Sequence, residues 1–203
     1  MRVLNGESLS PPPLWLMRQA GRYLPEYRQT RAKAGSFLDL CYTPDHAVEV
    51  TLQPIRRYGF DAAILFSDLL LPLEPMGIRF DFIRGEGPAI DNPIQSADDV
   101  ERLRRFEPRE ALSPVLQAIR QIKRELRSRI PLIGFAGAPF TLASYAIEGG
   151  HSNNFAKTKA MMYGAPELWH ALCGRLAEIT LAFLRVQIAA GVSAVQLFDS
   201  WAG

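Results

Sequence analysis

Apolar residues fall along the chain in two modes. Four short runs lack alternation: Pro13-Leu14-Trp15-Leu16-Met17, Ala62-Ala63-Ile64-Leu65-Phe66, Pro131-Leu132-Ile133-Gly134-Phe135-Ala136-Gly137, and Ser193-Ala194-Val195-Gln196-Leu197-Phe198. Short unbroken runs predict strands buried on both faces of a parallel sheet. Between them apolar residues recur every three or four positions, the helical period. Thr43 caps the first clear helix, Pro44 fits its first position, and Val48, Leu52 and Ile55 form its stripe. Glu49, Gln53, Arg56 and Arg57 face away, and Gly59 ends it. A second helix opens at Ser113-Pro114 with the stripe Val115, Ile119, Ile122 and Leu126. The longest runs from Pro166 to Ala190, with Leu168, Leu172, Leu176, Ile179, Phe183 and Val186 inward.

Smaller elements fill the gaps. Short helices are predicted over 36–42, from Ser96 through Leu103, over 141–148 with Thr141 as cap, and around 157–163. The alternation Ile78-Arg79-Phe80-Asp81-Phe82 predicts a hairpin in an otherwise irregular stretch rich in proline and glycine. Residues 1–12 read as a loose leader. Pro25 is expected to break any helix after the first strand, leaving an ordered loop with a helical turn or two.

The order strand, helix, strand, helix, strand, helix, strand is an α/β pattern with a parallel sheet. It fits either an open doubly wound sheet or a (β/α)8 TIM barrel. No G-x-G-x-x-G or Walker pattern follows any strand. Polar groups follow all four instead: Arg18 and Arg22, then Asp68, then Tyr145, then Ser200. Barrel enzymes build their sites this way, from several strand ends on one face. With four strands where a barrel needs eight, residues 1–203 read as a single domain that is about the first half of a barrel. The chain is expected to continue past Gly203, and the two strand edges of half a barrel are expected to drive pairing or aggregation.

Charge sharpens this picture at one place. The chain has 203 residues, 48% of them apolar, with a net charge of +2, so as a whole it is built neither for nucleic acid nor for a membrane surface. The positive charge is local: Arg18, Arg22, Arg28 and Arg31 crowd a segment that also carries Gly21 and Pro25. Guanidinium forks pair bidentately with carboxylates, so the segment reads as a holder for an organic polyanion. Arg18 and Arg22 share a face in a helical turn, Gly21 permits close backbone approach, and the amides of Gln19, Ala20, Gly21 and Arg22 add donors. Arg28 and Arg31 have the alternative of solvation or pairing with Glu26. Asp68 places a charge at the end of a buried run, where it either caps the turn at Leu69, pairs with an arginine, or serves a ligand.

Cys41 and Cys173 form no C-x-x-C pair and are expected to be reduced thiols in a cytoplasmic protein. No apolar run spans a bilayer. His46, His151 and His170 lack metal-ligand spacing, so no metal is expected.

Several blocks together resemble the uroporphyrinogen decarboxylase family: Met17-Arg18-Gln19-Ala20-Gly21-Arg22-Tyr23-Leu24-Pro25-Glu26-Tyr27-Arg28, Thr51-Leu52-Gln53-Pro54, Ile64-Leu65-Phe66-Ser67-Asp68, Gly134-Phe135-Ala136-Gly137-Ala138-Pro139-Phe140-Thr141-Leu142, Glu148-Gly149-Gly150 and Gln196-Leu197-Phe198-Asp199-Ser200. The resemblance implies a (β/α)8 fold, a homodimer and no cofactor. It implies a carboxy-lyase of haem and porphyrin biosynthesis that converts the four acetates of uroporphyrinogen III to methyl groups, giving coproporphyrinogen III. On it, Asp68 accepts the pyrrole N–H groups and Arg18 lies near the reacting acetate, both as catalytic residues. Arg18, Gln19, Ala20, Gly21, Arg22, Arg31, Asp68, Tyr145 and Ser200 contact substrate. Tyr145 has the alternative of a core tyrosine, and Ser200 that of a turn residue. Two other readings stand beside this one. One is a cobalamin-linked methyltransferase of the same superfamily; the other is an inactive tetrapyrrole-binding fragment or paralogue.

Overall fold

The computed structural model describes residues 1–16, 22–83, 87–127 and 129–200. Its elements in chain order are α1 (Pro25–Lys33), α2 (Phe37–Tyr42), α3 (Pro44–Tyr58), β1 (Ala63–Ile64), β2 (Phe80–Ile83), β3 (Gly87–Ile90), α4 (Ala97–Glu101), α5 (Pro108–Ala111), α6 (Ser113–Leu126), β4 (Leu132–Gly137), α7 (Pro139–Glu148), α8 (Ala156–Gly164), α9 (Pro166–Ala190) and β5 (Ala194–Phe198). The fold is mixed α/β. β1 and β4 pair in parallel, Ala63 opposite Leu132 and Ile64 opposite Ile133, in a three-stranded sheet of order β1-β4-β5.

The chain divides into two compact units. The first comprises Met1–Asp68, Ser113–Phe135 and Arg185–Gln196. α3 packs on α1, α2, α6 and β1, burying Leu40, Val50, Leu116, Ile119, Ile122 and Leu132 almost completely. The α6 stripe of Val115, Ile119, Ile122 and Leu126 is buried as its spacing predicts. Gln187 on α9 is fully buried; its amide donates to the carbonyl of Phe135 at 2.8 Å and accepts from the Phe135 N–H at 3.0 Å. It thereby satisfies a β4 peptide that faces a helix rather than a strand. Gly134 is small for this reason, since a Cβ there would lie 2.5 Å from the Gln187 carbonyl oxygen.

The second unit comprises Leu69–Leu112, Ala136–Leu184 and Leu197–Gly203. It contains the predicted hairpin, β2 antiparallel to β3 with Phe80 opposite Ile90. α4 starts with a capping box, Ser96 accepting from the Asp99 N–H while the Asp99 carboxylate accepts from Ser96. Leu70, Leu71, Leu73, Ile78, Leu142, Leu172 and Leu176 form the core, and Phe140 meets Trp169 edge-on at 5.6 Å.

Five local expectations are corrected. Residues 13–16 form no strand: Leu14 and Leu16 are 57% and 49% exposed, and the preceding prolines lack the N–H groups a ladder needs. Leu14 instead exchanges two bonds with Asp61, one to its carboxylate and one from its N–H. Pro25 starts α1 rather than breaking it, because proline at the first helical position removes only an N–H that would be unpaired anyway. Thr43 precedes α3 but makes no side-chain cap bond. Gln53 faces inward, 5% exposed, donating to Thr30 Oγ1 at 3.0 Å and to Glu49 Oε1 at 3.1 Å. Thr141 lies inside α7, whose cap position is Ala138.

Candidate functional site

In the first unit the candidate groups converge on one buried thiol. Asp68 follows β1 by four residues. Cys41 on α2 is 1% exposed. Burial holds its thiol well above the usual range, the negative charge of Asp68 pushes it further, and Arg22 and Arg31 pull the other way. Tyr27 on α1 reports the same two guanidiniums: burial raises its phenol, and Arg22 and Arg31 oppose. Asp68, Arg22 and Arg31 thus share one neighbourhood although they come from three parts of the chain.

Aromatic rings form the wall of that neighbourhood. Phe66 stacks obliquely on Tyr27 at 6.1 Å and edge-on to Phe37 at 5.9 Å. The Arg22 guanidinium stands over the Phe37 ring, 5.3 Å from its centre, a cation–π contact that orients the fork. Arg31 donates to the carbonyl of Gly35. Glu26, the expected partner of Arg28 or Arg31, is taken by Arg57. Its carboxyl is held below the usual range, first by its own backbone N–H and then by Arg57. Arg31 therefore keeps its charge free of that carboxylate.

Thr51 fixes the main chain that leads to Asp68. The β1 ladder runs out after the Leu65 N–H reaches Ile133 at 2.9 Å. The next amide, on Phe66, donates instead to Thr51 Oγ1 at 2.9 Å, while that hydroxyl donates to the Ala47 carbonyl at 2.7 Å. Thr51 is 3% exposed, so the α3 hydroxyl replaces the missing strand partner without help from water. The sequence contains Thr51 only as one letter of a matching block, outside the predicted stripe of Val48, Leu52 and Ile55, and nothing in the sequence marked it.

In the second unit Tyr145 lies on α7, half-buried, and Ser200 lies exposed in a turn just past β5. One turn before Tyr145, Thr141 donates its hydroxyl to Asp199 Oδ1 at 2.9 Å, and the Ala138 N–H donates to the Phe198 carbonyl at 2.8 Å. The start of α7 is thereby tied to the end of β5, next to Ser200. Thr141 is fully buried, which makes it a tether between these two elements. Neither it nor Asp199 was legible as such in the sequence, because the bond joins residues 58 positions apart. Arg18, Gln19, Ala20 and Gly21 lie outside the described residues. Among the described residues no group of three or more His, Cys, Asp or Glu side chains is placed to hold a metal, and no helix is long and apolar enough to cross a membrane.

The model of the uroporphyrinogen decarboxylase (URO-D) family matches residues 1–203. The chain is 56% identical over 203 residues to a uroporphyrinogen decarboxylase of Carboxydothermus hydrogenoformans, covering 100% of this chain and 58% of that protein. It is 59% identical over 191 residues to one of Salinispora tropica, covering 94% of this chain and 51% of the relative. The chain thus spans about half to three-fifths of the length of these curated relatives. Among solved structures, a methyltransferase from Methanosarcina mazei superposes with a TM-score of 0.61 at 17% identity, over 82% of this chain and 49% of that one, a likeness of fold.

Proposed function

The chain belongs to the uroporphyrinogen decarboxylase family, and from that premise we propose that the whole protein decarboxylates the four acetate side chains of uroporphyrinogen III, giving coproporphyrinogen III. The observation that carries the reading is the convergence of Asp68, Arg22 and Arg31 on an aromatic-walled neighbourhood. A flexible octacarboxylate needs guanidiniums for its rim and one carboxylate for its pyrrole N–H groups.

The chemistry explains that combination. Loss of CO2 from a pyrrole acetate needs an electron sink. Protonation of a ring carbon makes the pyrrole a cation, which takes the electron pair of the breaking C–C bond as CO2 leaves. The exocyclic methylene then accepts a proton and becomes a methyl group, and the ring carbon gives up the proton it first took, which restores the pyrrole; the net change is one proton in and one CO2 out. No cofactor enters this balance. Asp68 stabilises the cationic ring, and a preorganised group of this kind is worth about 3–4 kcal/mol of barrier. Arg22 and Arg31 hold peripheral carboxylates, as do Tyr145 and Ser200 through their hydroxyls. Arg18, with Gln19, Ala20 and Gly21, completes the carboxylate clamp. Arg18 positions the reacting acetate; a guanidinium is too weak an acid to serve as proton donor. We read the fold as the first half of a (β/α)8 barrel forming one domain, and the active protein as a cytoplasmic homodimer.

The test is anaerobic turnover of uroporphyrinogen III, following CO2 and coproporphyrinogen III, with this chain and with a chain of full family length. Asp68→Asn in the full-length protein is expected to stay folded and lose at least tenfold in kcat. Turnover close to the unsubstituted protein in a folded Asp68→Asn variant would remove Asp68 from the mechanism. Absence of any coproporphyrinogen from the unsubstituted full-length protein would overturn the function.

A further inference from the structure

A second cluster of guanidiniums lies in the second unit. Two cavities of about 180 and 290 Å3 meet there and share Met76, Leu103 and Arg104. We propose that they form one binding site for a small organic anion, a phosphate or carboxylate on a body of about one ring, held by Arg104 and Arg175.

The floor is apolar. Met76, Leu103 and Ile179 line it and are 3%, 6% and 8% exposed. The rim carries more positive charge than the protein neutralises. Of its four arginines, Arg102 pairs with Asp99 and Arg105 with Glu178. Arg104 and Arg175 have no carboxylate partner among the described residues. The guanidinium of Arg175 and the main chain of Arg104 are nonetheless held in place. Arg175 is half-buried, and its Nη1 donates to the Leu103 carbonyl at 3.0 Å and towards that of Glu101 at 3.4 Å. The Arg104 N–H donates to the Met76 carbonyl at 2.9 Å. Its guanidinium lies beside Gly77, where an added Cβ would be 3.4 Å from Nε and 3.5 Å from Nη2.

Two guanidiniums without a carboxylate partner among the described residues, above a hydrophobic floor, match the usual composition of a ligand site: an apolar lining with a few polar groups that fix orientation. Guanidinium pairs with phosphate and carboxylate alike. The volumes select a one-ring body and are far too small for a tetrapyrrole.

Phenyl phosphate is the probe, titrated calorimetrically into the intact chain, with phenol and inorganic phosphate as its two halves. Phenyl phosphate is expected to bind at least tenfold more tightly than either half, because it alone uses both floor and rim. Arg104→Gln is expected to weaken it at least tenfold. This substitution is at an exposed side chain and keeps the main-chain bond to Met76, so the variant should melt with the unsubstituted protein. Arg22→Gln, in the first unit, is expected to leave binding unchanged. Equal affinity for phenyl phosphate and inorganic phosphate, undiminished binding to Arg104→Gln, or loss of binding in Arg22→Gln would each overturn the proposal, the last by moving the probe to the other arginines.

Discussion

A single hydroxyl decides how Asp68 is presented. Thr51 Oγ1 accepts from Phe66 where the sheet no longer can, two residues before the carboxylate. Replacing it with valine keeps the volume but leaves the Phe66 N–H buried without an acceptor, a loss of about 1–3 kcal/mol. Thr51→Val is therefore expected to lower the urea midpoint at unchanged slope, and Thr51→Ser, which keeps the oxygen, to recover most of it. Equal stability of the valine and serine variants would show that the hydroxyl is not what anchors Phe66. The sequence contained every atom of this arrangement and still did not disclose it. Asp68 stood out because a charge ends an apolar run; Thr51 reads as one more position on a helix. Arg22 and Arg31 stood out in the sequence from their density, whereas the capture of Glu26 by Arg57, 31 residues away, did not.

At the level of elements, caps and tethers set local stability. The carboxylate of Asp99 closes the α4 capping box, and its pKa is pushed down to about 2, first by the Gln95 N–H, then by the Ser96 hydroxyl, with Arg102 adding a smaller part. An unfolded aspartate titrates near 3.9. A depressed folded value means the contribution is complete above about pH 4. It is lost as the pH falls towards 2. Asp99→Asn is thus expected to be less stable at neutral pH and to converge with the unsubstituted protein on acidification, seen in urea titrations between pH 7 and 2. A gap that stays constant over that range would assign the effect to geometry alone. Helix existence followed from periodicity in every long case: α3, α6 and α9 lie where the apolar spacing puts them. Helix starts followed less well. Pro25 is the instructive example, since one residue type both ends a helix and opens one, and only the position of the next turn decides which.

For the molecule as a whole, the apolar surface left in solvent has a consequence. Leu181 and Ile188, seven residues apart on α9, are 51% and 55% exposed, and Val195 and Leu197 on β5 are 40% and 47% exposed. β5 is also the last strand in its sheet order. An edge strand with exposed β-branched and aliphatic side chains is a template for pairing. The 203-residue chain is expected to self-associate with rising concentration in sedimentation velocity, and Ile188→Lys with Val195→Lys to shift it towards monomer. A monomer at every concentration would show that this surface is inert.

Sequence by itself determined the mixed α/β class of the fold, its long helices and the family. These depend on local spacing and on contiguous blocks, both visible in one dimension. The tertiary structure alone decided which charges are spent and which are kept. It gave Glu26 to Arg57, brought Asp68, Arg22 and Arg31 within electrostatic reach of the Cys41 thiol, bonded the Phe66 N–H to Thr51, and tied Thr141 to Asp199. It also left Arg104 and Arg175 without a carboxylate partner among the described residues, above an apolar floor. Each of these is a pairing between distant positions, and a pairing has no spacing to read until the chain has closed the loop that makes it.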